Sequence, residues 1–321
     1  MLYATIQMRR SHLALAEERD PDDDRVPAHP FLKWAGGKWS IAPRIERLLP
    51  HDIRDRVYRE PFVGGGAMFF YLQPRRAILS DSLKDLIETY RVVQLHVDAL
   101  ISRLERLRET HSTEQFYSIR AAFNEERSAP RVERASWLVY LNKTCFNGLF
   151  RTNREGGFNV PVGRFKNPGI LDVNTLRLAS AALCDAELLH DTFDHLADSA
   201  EPGDVIYFDP PYVPMSKTAS FCAYADGAFT LRDQARLAEM FRELDDRGCL
   251  LALSNSDTPE VRRLYAGYDI SPIIAPRAIS SKASTRGEVT ELLIRNVSKY
   301  PSRTASPPGP GIVPAPRTRS R

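Results

Sequence analysis

The stretch DVIYFDPPY, residues 204–212, joins an apolar run to an aspartate, two prolines and a tyrosine. The β-branched and aromatic run 205–208 is typical of a fully buried strand of a parallel sheet. This strand must end at Asp209, because each proline that follows fixes its own φ, lacks an N–H and holds the preceding residue extended. Open α/β sheets bind ligands at the carboxyl ends of their strands. A ligand site at Asp209 is therefore one interpretation, and a rigid exit loop is the other.

Segments with strand and helix patterns alternate on both sides of this run. The expected strands are residues 56–60, 76–79, 186–190, 204–208, 249–254, 268–274 and 289–295. The expected helices are residues 40–49, with Ser40 as the N-cap, and residues 67–72, 83–107, 113–123, 130–141, 171–183 and 231–246. This alternation predicts a doubly wound, mostly parallel α/β sheet, interrupted between its second and third strands by roughly a hundred residues of helix and loop.

The composition indicates a globular chain with one large α/β domain and a smaller domain inserted in it or attached to it. It has 321 residues, of which 43% are hydrophobic, enough to bury a large core. No run approaches the roughly 18 apolar residues that span a bilayer, and the acidic first thirty residues lack the apolar region of a signal peptide. We therefore expect a cytoplasmic protein without a membrane partner. The four cysteines are scattered and have no histidine at ligand spacing, so we expect free thiols and no metal site.

The formal charge of +3 is unevenly distributed along the chain. Residues 1–30 carry a net charge of −2 and residues 299–321 one of +5, which leaves residues 31–298 neutral. Within that neutral body, residues 142–166 have a local charge of +4. A basic segment rich in glycine and asparagine suits phosphate groups, although a solvated loop is the alternative. We expect both terminal extensions to be disordered, since the tail is rich in proline and poor in large apolar residues.

A glycine triplet and an aspartate follow the first two expected strands. The segment EPFVGGGAMFF, residues 60–70, places three glycines between a strand and a helix, where the backbone can turn sharply and approach a ligand. Asp81 ends the second strand, where a carboxylate can accept hydrogen bonds from ribose hydroxyls. Together they predict a ligand that contains adenosine. A tight turn and a helix-capping aspartate are the alternative for each motif alone.

Two further segments carry aromatic and basic side chains. In FLKWAGGKWS, residues 31–40, Trp39 stands where a phosphate loop needs Ser or Thr, which disfavours a nucleotide triphosphatase. What remains is a set able to stack on a purine and to pair with a carboxylate: Trp34, Lys33 and Lys38. In NKTCFNGLFRTNREGGFNVPVGRF, residues 142–165, aromatic side chains alternate with basic and amide side chains, as on surfaces that contact phosphates and base edges. A structural loop is the alternative for this segment.

Taken in chain order, these motifs resemble the Dam-type, or D12 class, DNA adenine methyltransferases. The resemblance rests on FLKWAGGK, EPFVGGG, LSD, NKTCFNGLFR with GGFNVPVGRF, and FDPPY, and it spans residues 31–295. One departure is Leu83, where the family usually has asparagine two places after the aspartate. The resemblance implies a Rossmann-like methyltransferase sheet with an inserted, mainly helical target-recognition domain. The implied catalytic domain is residues 31–90 and 171–298, the recognition domain is residues 91–170, and residues 1–30 and 299–321 lie outside the resemblance.

The resemblance also implies the reaction, the cofactor and the partners. The implied enzyme is a monomer that transfers a methyl group from S-adenosyl-L-methionine to the 6-amino group of adenine in double-stranded DNA, after flipping the base out of the duplex. In this interpretation the Asp209 carboxylate and the Pro210 carbonyl accept hydrogen bonds from the amino group, and Tyr212 stacks on the base. The implied target is GATC, and the biological role, restriction-modification or another, is left open.

The resemblance assigns the remaining site residues by matching motif positions. The implied cofactor-binding residues are Trp34, Lys38, Phe62, Gly64, Gly65, Gly66, Asp81, Asp191, Phe193 and Asp209. The implied DNA-binding residues are Lys33, Phe146, Asn147, Arg151, Pro161, Arg164 and Lys166. Among these, Arg151 is expected to make a bidentate contact to a guanine, Phe146 to act as a wedge beside the flipped adenine, and Lys166 to contact a phosphate.

Two other functions are compatible with parts of the pattern. The first is methylation of another conjugated amino nitrogen, in cytosine, RNA adenine or protein glutamine, although those relatives tend to have Ser or Asn in place of Asp209. The second is a sequence-specific DNA-binding protein that keeps the fold and has lost the chemistry. The intact DPPY motif and glycine loop argue against the second.

Overall fold

Seven strands form a single sheet in the computed structural model, which describes residues 25–153, 155–213, 229–276 and 288–296. The strands are β1 (Val57–Glu60), β2 (Arg76–Asp81), β3 (Glu187–His190), β4 (Val205–Phe208), β5 (Leu250–Ser256), β6 (Asp269–Pro276) and β7 (Glu288–Arg295). Their order is β3-β2-β1-β4-β5-β7-β6. Neighbouring strands pair in parallel from β3 to β5, whereas β7 is antiparallel to both β5 and β6. The predicted mostly parallel, doubly wound α/β fold is confirmed.

Helices pack around this sheet and fill the interruption between β2 and β3. The α-helices of the described residues are α1 (Ala42–Glu46), α2 (Ala67–Leu72), α3 (Lys84–Glu109), α4 (Thr113–Glu125), α5 (Arg131–Thr144), α6 (Val173–Leu183), α7 (Leu196–Ser199), α8 (Leu231–Arg247) and α9 (Pro259–Leu264). Three short 3₁₀ helices cover Ile53–Asp55, Phe146–Gly148 and Phe193–His195.

The strand order places a crevice between β1 and β4. From β1 the chain continues to β2 and β3 on one side, and from β4 it continues to β5 on the other, so the carboxyl ends of β1 and β4 diverge there. Doubly wound sheets bind ligands at such a point. The pair is anchored at its opposite end by a buried ion pair, in which Arg59 Nε lies 2.6 Å from Asp204 Oδ2. All four residues of β4 are buried, as the apolar run predicts.

Helix α3 links the sheet to the helices that follow it. It packs against β2 and β3 and also against α5 and α6, and it has a kink at His96 (φ −139°, ψ 34°). Side-chain caps begin four of the other described helices: Ser112 at α4, Asp172 at α6, Thr230 at α8 and Thr258 at α9 each accept a hydrogen bond from a backbone N–H of the first turn. The predicted domain boundary between residues 90 and 91 falls inside α3, and this division of the chain stays a prediction.

Some local expectations differ from the structure. The predicted helix 40–49 is only Ala42–Glu46, and Ser40 does not cap it, because Ile41 occupies the N-cap position. The short helices α7 and α9 are not predicted. Residues 25–30 of the predicted N-terminal extension pack against the body of the protein: Arg25 Nη1 lies 3.3 Å from Glu46 Oε1, and Ala28 is buried. Residues 1–24 and 297–321, the rest of the predicted disordered extensions, lie outside the described residues.

Candidate active site

A cavity of about 870 Å³ opens at the carboxyl ends of β1, β2 and β4. Pockets for cofactors and small molecules typically have volumes of about 300 to 1,000 Å³. Ten of the residues implied by the motifs line this cavity: Trp34, Lys38, Phe62, Gly64, Gly65, Asp81, Phe193, Asp209, Pro210 and Tyr212. Gly66 lies next to it as the N-cap of α2. The Asp191 side chain is exposed and is not among the lining residues.

The DPPY segment forms one wall of the cavity. Lys38 Nζ lies 3.0 Å from Asp209 Oδ1, and the Asp209 side chain is 20% exposed. The same ammonium group lies 4.8 Å from the centre of the Tyr212 ring. Burial raises the pKa of the Asp209 carboxyl group above its ordinary value, and the positive charge of Lys38 opposes that increase. The Lys38 ammonium group thus favours the ionised carboxylate, which is a hydrogen-bond acceptor at the cavity wall.

Buried amide side chains hold the DPPY segment from behind. Gln234 Nε2 on α8 donates to the Pro211 carbonyl at 2.7 Å, and Asn255 Nδ2 on β5 donates to Gln234 Oε1 at 3.0 Å. Asn255 Oδ1 accepts from Val213 N at 3.4 Å. Both amide residues are almost completely buried. Neither residue belongs to a motif named above, although a polar SNS sequence at the end of an apolar strand is a signal that could have indicated Asn255.

The glycine loop after β1 packs closely against Trp34. A Cβ atom on Gly64 would lie 2.7 Å from Trp34 Cδ1, and one on Gly65 would lie 2.9 Å from Trp34 Cβ. Gly64 and Gly66 also have left-handed φ angles of +47° and +67°, which favour glycine. Tyr90 Oη on α3 donates to the Gly64 carbonyl at 3.0 Å and fixes the loop. Because these glycines have no side chains, both the Trp34 ring and a ligand can come close to the backbone of the loop.

Asp81 connects the end of β2 to this loop. Its two carboxylate oxygens accept from the backbone N–H groups of Gly64 at 3.1 Å and Leu83 at 2.9 Å. Leu83 stands where the resembled family has asparagine, and it contributes here through its backbone N–H. Burial raises the pKa of the Asp81 carboxyl group. Each oxygen keeps further acceptor capacity, which suits a hydroxyl donor in the cavity.

An apolar slot forms the far end of the cavity. The rings of Phe62 and Phe193 lie 5.7 Å apart, and Phe229 meets Phe62 edge-on at 5.6 Å. The guanidinium group of Arg236 lies 4.9 Å from the centre of the Phe193 ring. Such a slot suits a flat heteroaromatic ring. Sequence reasoning missed Phe229 and Arg236, which come from a part of the chain without a recognisable motif.

Glu60 is a buried carboxyl group in the cavity wall, at the last position of β1. Its Oε2 accepts from Tyr58 Oη at 2.8 Å and from Phe69 N at 3.1 Å. Burial raises the pKa of Glu60 to about 8. Glu60 belongs to the motif EPFVGGG but is not among the site residues that the resemblance implies.

The segment 142–166 folds into a paired loop beside the cavity. Phe146 N donates to the Pro161 carbonyl at 2.9 Å, and Gly163 N donates to the Thr144 carbonyl at 2.8 Å. This pairing places the two predicted DNA contacts Phe146 and Pro161 next to each other, both exposed.

The other predicted DNA contacts are also exposed. Arg151 Nε donates to Asn159 Oδ1 at 2.7 Å, which orients the guanidinium group. Lys33 Nζ lies 4.6 Å from the centre of the Phe165 ring. Asn147, in a left-handed conformation with φ of 56°, is exposed, and so are Arg164 and Lys166.

Asn142 and Trp34 connect this loop to the cavity. The buried Asn142 side chain accepts from Lys33 N at 2.9 Å and donates to the Lys33 carbonyl at 2.7 Å and the Gly148 carbonyl at 3.1 Å. The Trp34 ring stacks on Phe150, with the ring centres 5.7 Å apart. A ligand in the cavity and a ligand on the exposed loop would therefore be in adjacent positions.

The described part of the chain contains no group of three or more His, Cys, Asp or Glu side chains arranged to hold a metal ion. No disulfide joins its cysteines Cys145, Cys184 and Cys249, and Cys222 lies outside the described residues. Among the described helices, none combines the length and apolar character that crossing a membrane requires.

Comparison with known proteins identifies one family. The family model of the D12 class N6 adenine-specific DNA methyltransferases matches residues 34–279. The type II methyltransferase M.MjaIII of Methanocaldococcus jannaschii is 42% identical over 284 residues, which cover 83% of this chain and 98% of the relative. The type II methyltransferase M1.LlaDCHI of Lactococcus lactis is 36% identical over 277 residues, 85% of this chain and 97% of the relative. The DNA adenine methylase of Escherichia coli is 38% identical over 265 residues, 82% of this chain and 93% of the relative.

Proposed function

The chain belongs to the D12 class N6 adenine-specific DNA methyltransferases, and we propose that its methyl transfer takes place in the cavity between Asp81 and Tyr212. The reaction is methylation of the 6-amino group of adenine in DNA, as the motifs predict. The observation that carries the proposal is that Asp209, Pro210 and Tyr212 line the same cavity as Asp81 and the glycine loop. Acceptors for an amino group and a pocket for a nucleoside are thus in one place.

The family implies S-adenosyl-L-methionine as the methyl donor, and the residues of the cavity fit it. Asp81 has acceptor capacity for the ribose hydroxyls, and the slot of Phe62 and Phe193 suits the adenine ring. The glycine loop, Trp34 and Lys38 would hold the methionine part. We add Glu60 to the proposed cofactor residues, since a buried carboxyl group facing this part of the cavity suits an amino group. When bound, the cofactor supplies the electrophilic methyl group.

Asp209 and Pro210 make the target amino group a better nucleophile. The lone pair of an adenine amino group is delocalised into the ring, and two acceptors aimed at its N–H bonds localise that pair on nitrogen. The Asp209 carboxylate and the Pro210 carbonyl are such acceptors. The prolines and the Gln234 hydrogen bond to Pro211 keep them in place, so little reorganisation is needed in the transition state. Tyr212 provides a ring on which the flipped base stacks.

The loop 142–166 is the proposed reader of the DNA sequence. Its exposed side chains include an oriented guanidinium group, Arg151, suited to the two acceptors of a guanine edge. Phe146 is the proposed wedge beside the flipped adenine, Asn147, Pro161, Arg164 and Lys33 are further proposed contacts, and Lys166 is a proposed phosphate contact. We propose GATC in duplex DNA as the target, on the resemblance of this segment. We also propose that a monomer is the active form, as the resemblance implies.

Asp209→Ala tests the catalytic assignment. The purified enzyme and this variant are incubated with unmethylated DNA and cofactor, and the digested nucleosides are analysed for N6-methyladenine. We expect the variant to lose methylation while its DNA affinity stays within about threefold, because the DNA-binding loop is intact. Normal methylation by the variant would remove Asp209 from the mechanism. A wild-type chain that binds DNA specifically but methylates nothing would instead support the catalytically silent alternative.

Sequencing of methylated positions tests the target assignment. We expect methylated adenine within GATC in DNA from cells that express the protein. Arg151→Ala should relax discrimination at one base pair by about 1 to 3 kcal/mol. Lys166→Ala is the matched control, because a lost phosphate contact weakens binding to all sequences alike. An unchanged motif and rate in Arg151→Ala would show that Arg151 does not read the site.

A further inference from the structure

Glu291 lies on β7, the last strand in chain order, and its side chain contacts the DPPY segment. Strand β7 lies between β5 and β6, with Glu291 paired in register with Ser256 on one side and Ile273 on the other. The Glu291 side chain is only 17% exposed. Its Oε2 atom accepts a hydrogen bond from Tyr212 Oη at 2.9 Å. The carboxylate thus holds the far end of the ring on which the target base is proposed to stack.

The same carboxylate faces the ammonium group of Lys38. Lys38 Nζ lies 3.8 Å from Glu291 Oε2 and 3.0 Å from Asp209 Oδ1, and it also donates to the Gly36 carbonyl. The Lys38 side chain is 3% exposed, so water screens these charges weakly. Lys38 therefore lies between two carboxylates and over the Tyr212 ring.

We propose that Glu291 is a positioning residue of the methyl transfer, which orients the Tyr212 ring and the Lys38 ammonium group around Asp209. This inference rests on the proposed roles of Asp209 and Tyr212. A phenol ring attached only through its Cβ can rotate and tilt, whereas a hydrogen bond at the hydroxyl end fixes both ends. A site whose rings and charges are held before the substrate arrives loses less entropy when the reacting groups meet.

Glu291 also affects the charge balance at Asp209. The titratable groups around the Asp209 carboxyl group are Lys38 from the N-terminal segment, Tyr58 and Glu60 from β1, Tyr207 from β4, Tyr212 from its own loop and Glu291 from β7. Among them, the negative charge of Glu291 raises the pKa of Asp209 and the positive charge of Lys38 lowers it. Removal of the Glu291 charge should therefore shift the acidic limb of the rate profile to lower pH. A variant that is only less stable would instead lose rate equally at every pH and keep its acidic limb in place.

The test compares Glu291→Ala, Glu291→Gln, Tyr212→Phe and the double variant Glu291→Ala with Tyr212→Phe. The measurement is the single-turnover methylation rate at saturating cofactor and DNA, across pH. Loss of a hydrogen bond to a charged group should lower the rate of Glu291→Ala by about 10- to 100-fold. Glu291→Gln keeps an acceptor for the hydroxyl group, so it should recover most of that loss and shift its acidic limb to lower pH. The double variant should have about the same rate as the slower of the two single variants, because both substitutions remove the same hydrogen bond.

Glu260→Ala, which removes an exposed carboxylate on α9, is the matched control and should retain the wild-type rate. A wild-type rate in Glu291→Ala, or fully additive losses in the double variant, would overturn the proposal. An unshifted acidic limb in Glu291→Gln would overturn it as well. If Asp209→Ala remains inactive in the same assay, the failure concerns Glu291 alone. If Asp209→Ala is active, the proposed function of the cavity has failed instead.

Discussion

Replacement of Asn142 by alanine should separate the target-reading loop from the segment that lines the cavity. The Asn142 side chain is 1% exposed and makes three hydrogen bonds, two to the backbone of Lys33 and one to the backbone of Gly148. Lys33 precedes Trp34 in the cavity wall, and Gly148 follows Phe146 and Asn147 in the loop. One amide group thus joins two segments that are distant in sequence, since Lys33 lies 109 residues before Asn142 and Gly148 lies 6 residues after it.

The expected loss of stability follows from those bonds. Each typical hydrogen bond contributes about 1 kcal/mol net, so the three together contribute about 3 kcal/mol. Some of the freed backbone groups can reach water, because Lys33 is exposed, whereas Gly148 is buried. We therefore expect the free energy of unfolding to fall by about 2 to 4 kcal/mol. Affinity for target DNA should fall by about tenfold or more, since Lys33 and Phe146 lose their common anchor.

Urea denaturation and DNA-binding titrations measure the two effects. Asn142→Asp keeps the acceptor for Lys33 N but places a carboxylate against two carbonyl oxygens, so it should be at least as unstable as Asn142→Ala. Asn174→Ala, at an exposed position of α6, is the control and should stay within about 0.5 kcal/mol of the wild type. A change in Asn142→Ala below about 1 kcal/mol, with normal DNA affinity, would show that the loop is held by other contacts.

Two further predictions concern the cavity itself. Lys38→Met removes the positive charge that lowers the pKa of Asp209, so that pKa should rise further above its ordinary value. Because the ionised carboxylate is the active form, the acidic limb of the single-turnover rate at saturating cofactor should move to higher pH. An acidic limb at the wild-type position would show that Asp209 is not the group titrated. Gly64→Ala places a Cβ 2.7 Å from Trp34 Cδ1 at a φ of +47°. Calorimetric titration should therefore show that cofactor affinity falls by about tenfold or more. Gly169→Ala, whose Cβ would have no atom within 4 Å, is the control and should bind the cofactor normally. Equal affinities in these two glycine variants would contradict the assigned position of the cofactor.

The sequence by itself determined the fold class and most of the cavity wall. A short β-branched and aromatic run such as residues 205–208, flanked by Gly203 and Pro210, favours a buried strand. The glycine triplet, Asp81 and DPPY each follow a strand, and the carboxyl ends of parallel strands meet at one edge of a sheet. Local signals therefore sufficed to bring Gly64, Asp81 and Asp209 together. The short helix α1 was less predictable, because a serine near its start does not ensure a cap.

Only the tertiary structure decided which partners surround those residues. Glu291 contacts Tyr212 because β7 inserts antiparallel between β5 and β6, and no local pattern encodes that register. Asn142 joins Lys33 to Gly148 through contacts between distant segments. Asp191 follows a strand end as Asp81 does, yet its side chain is exposed outside the cavity lining. The physical reason is that strand and turn propensities act over a few residues, whereas the partner of a buried polar group depends on the packing of whole elements.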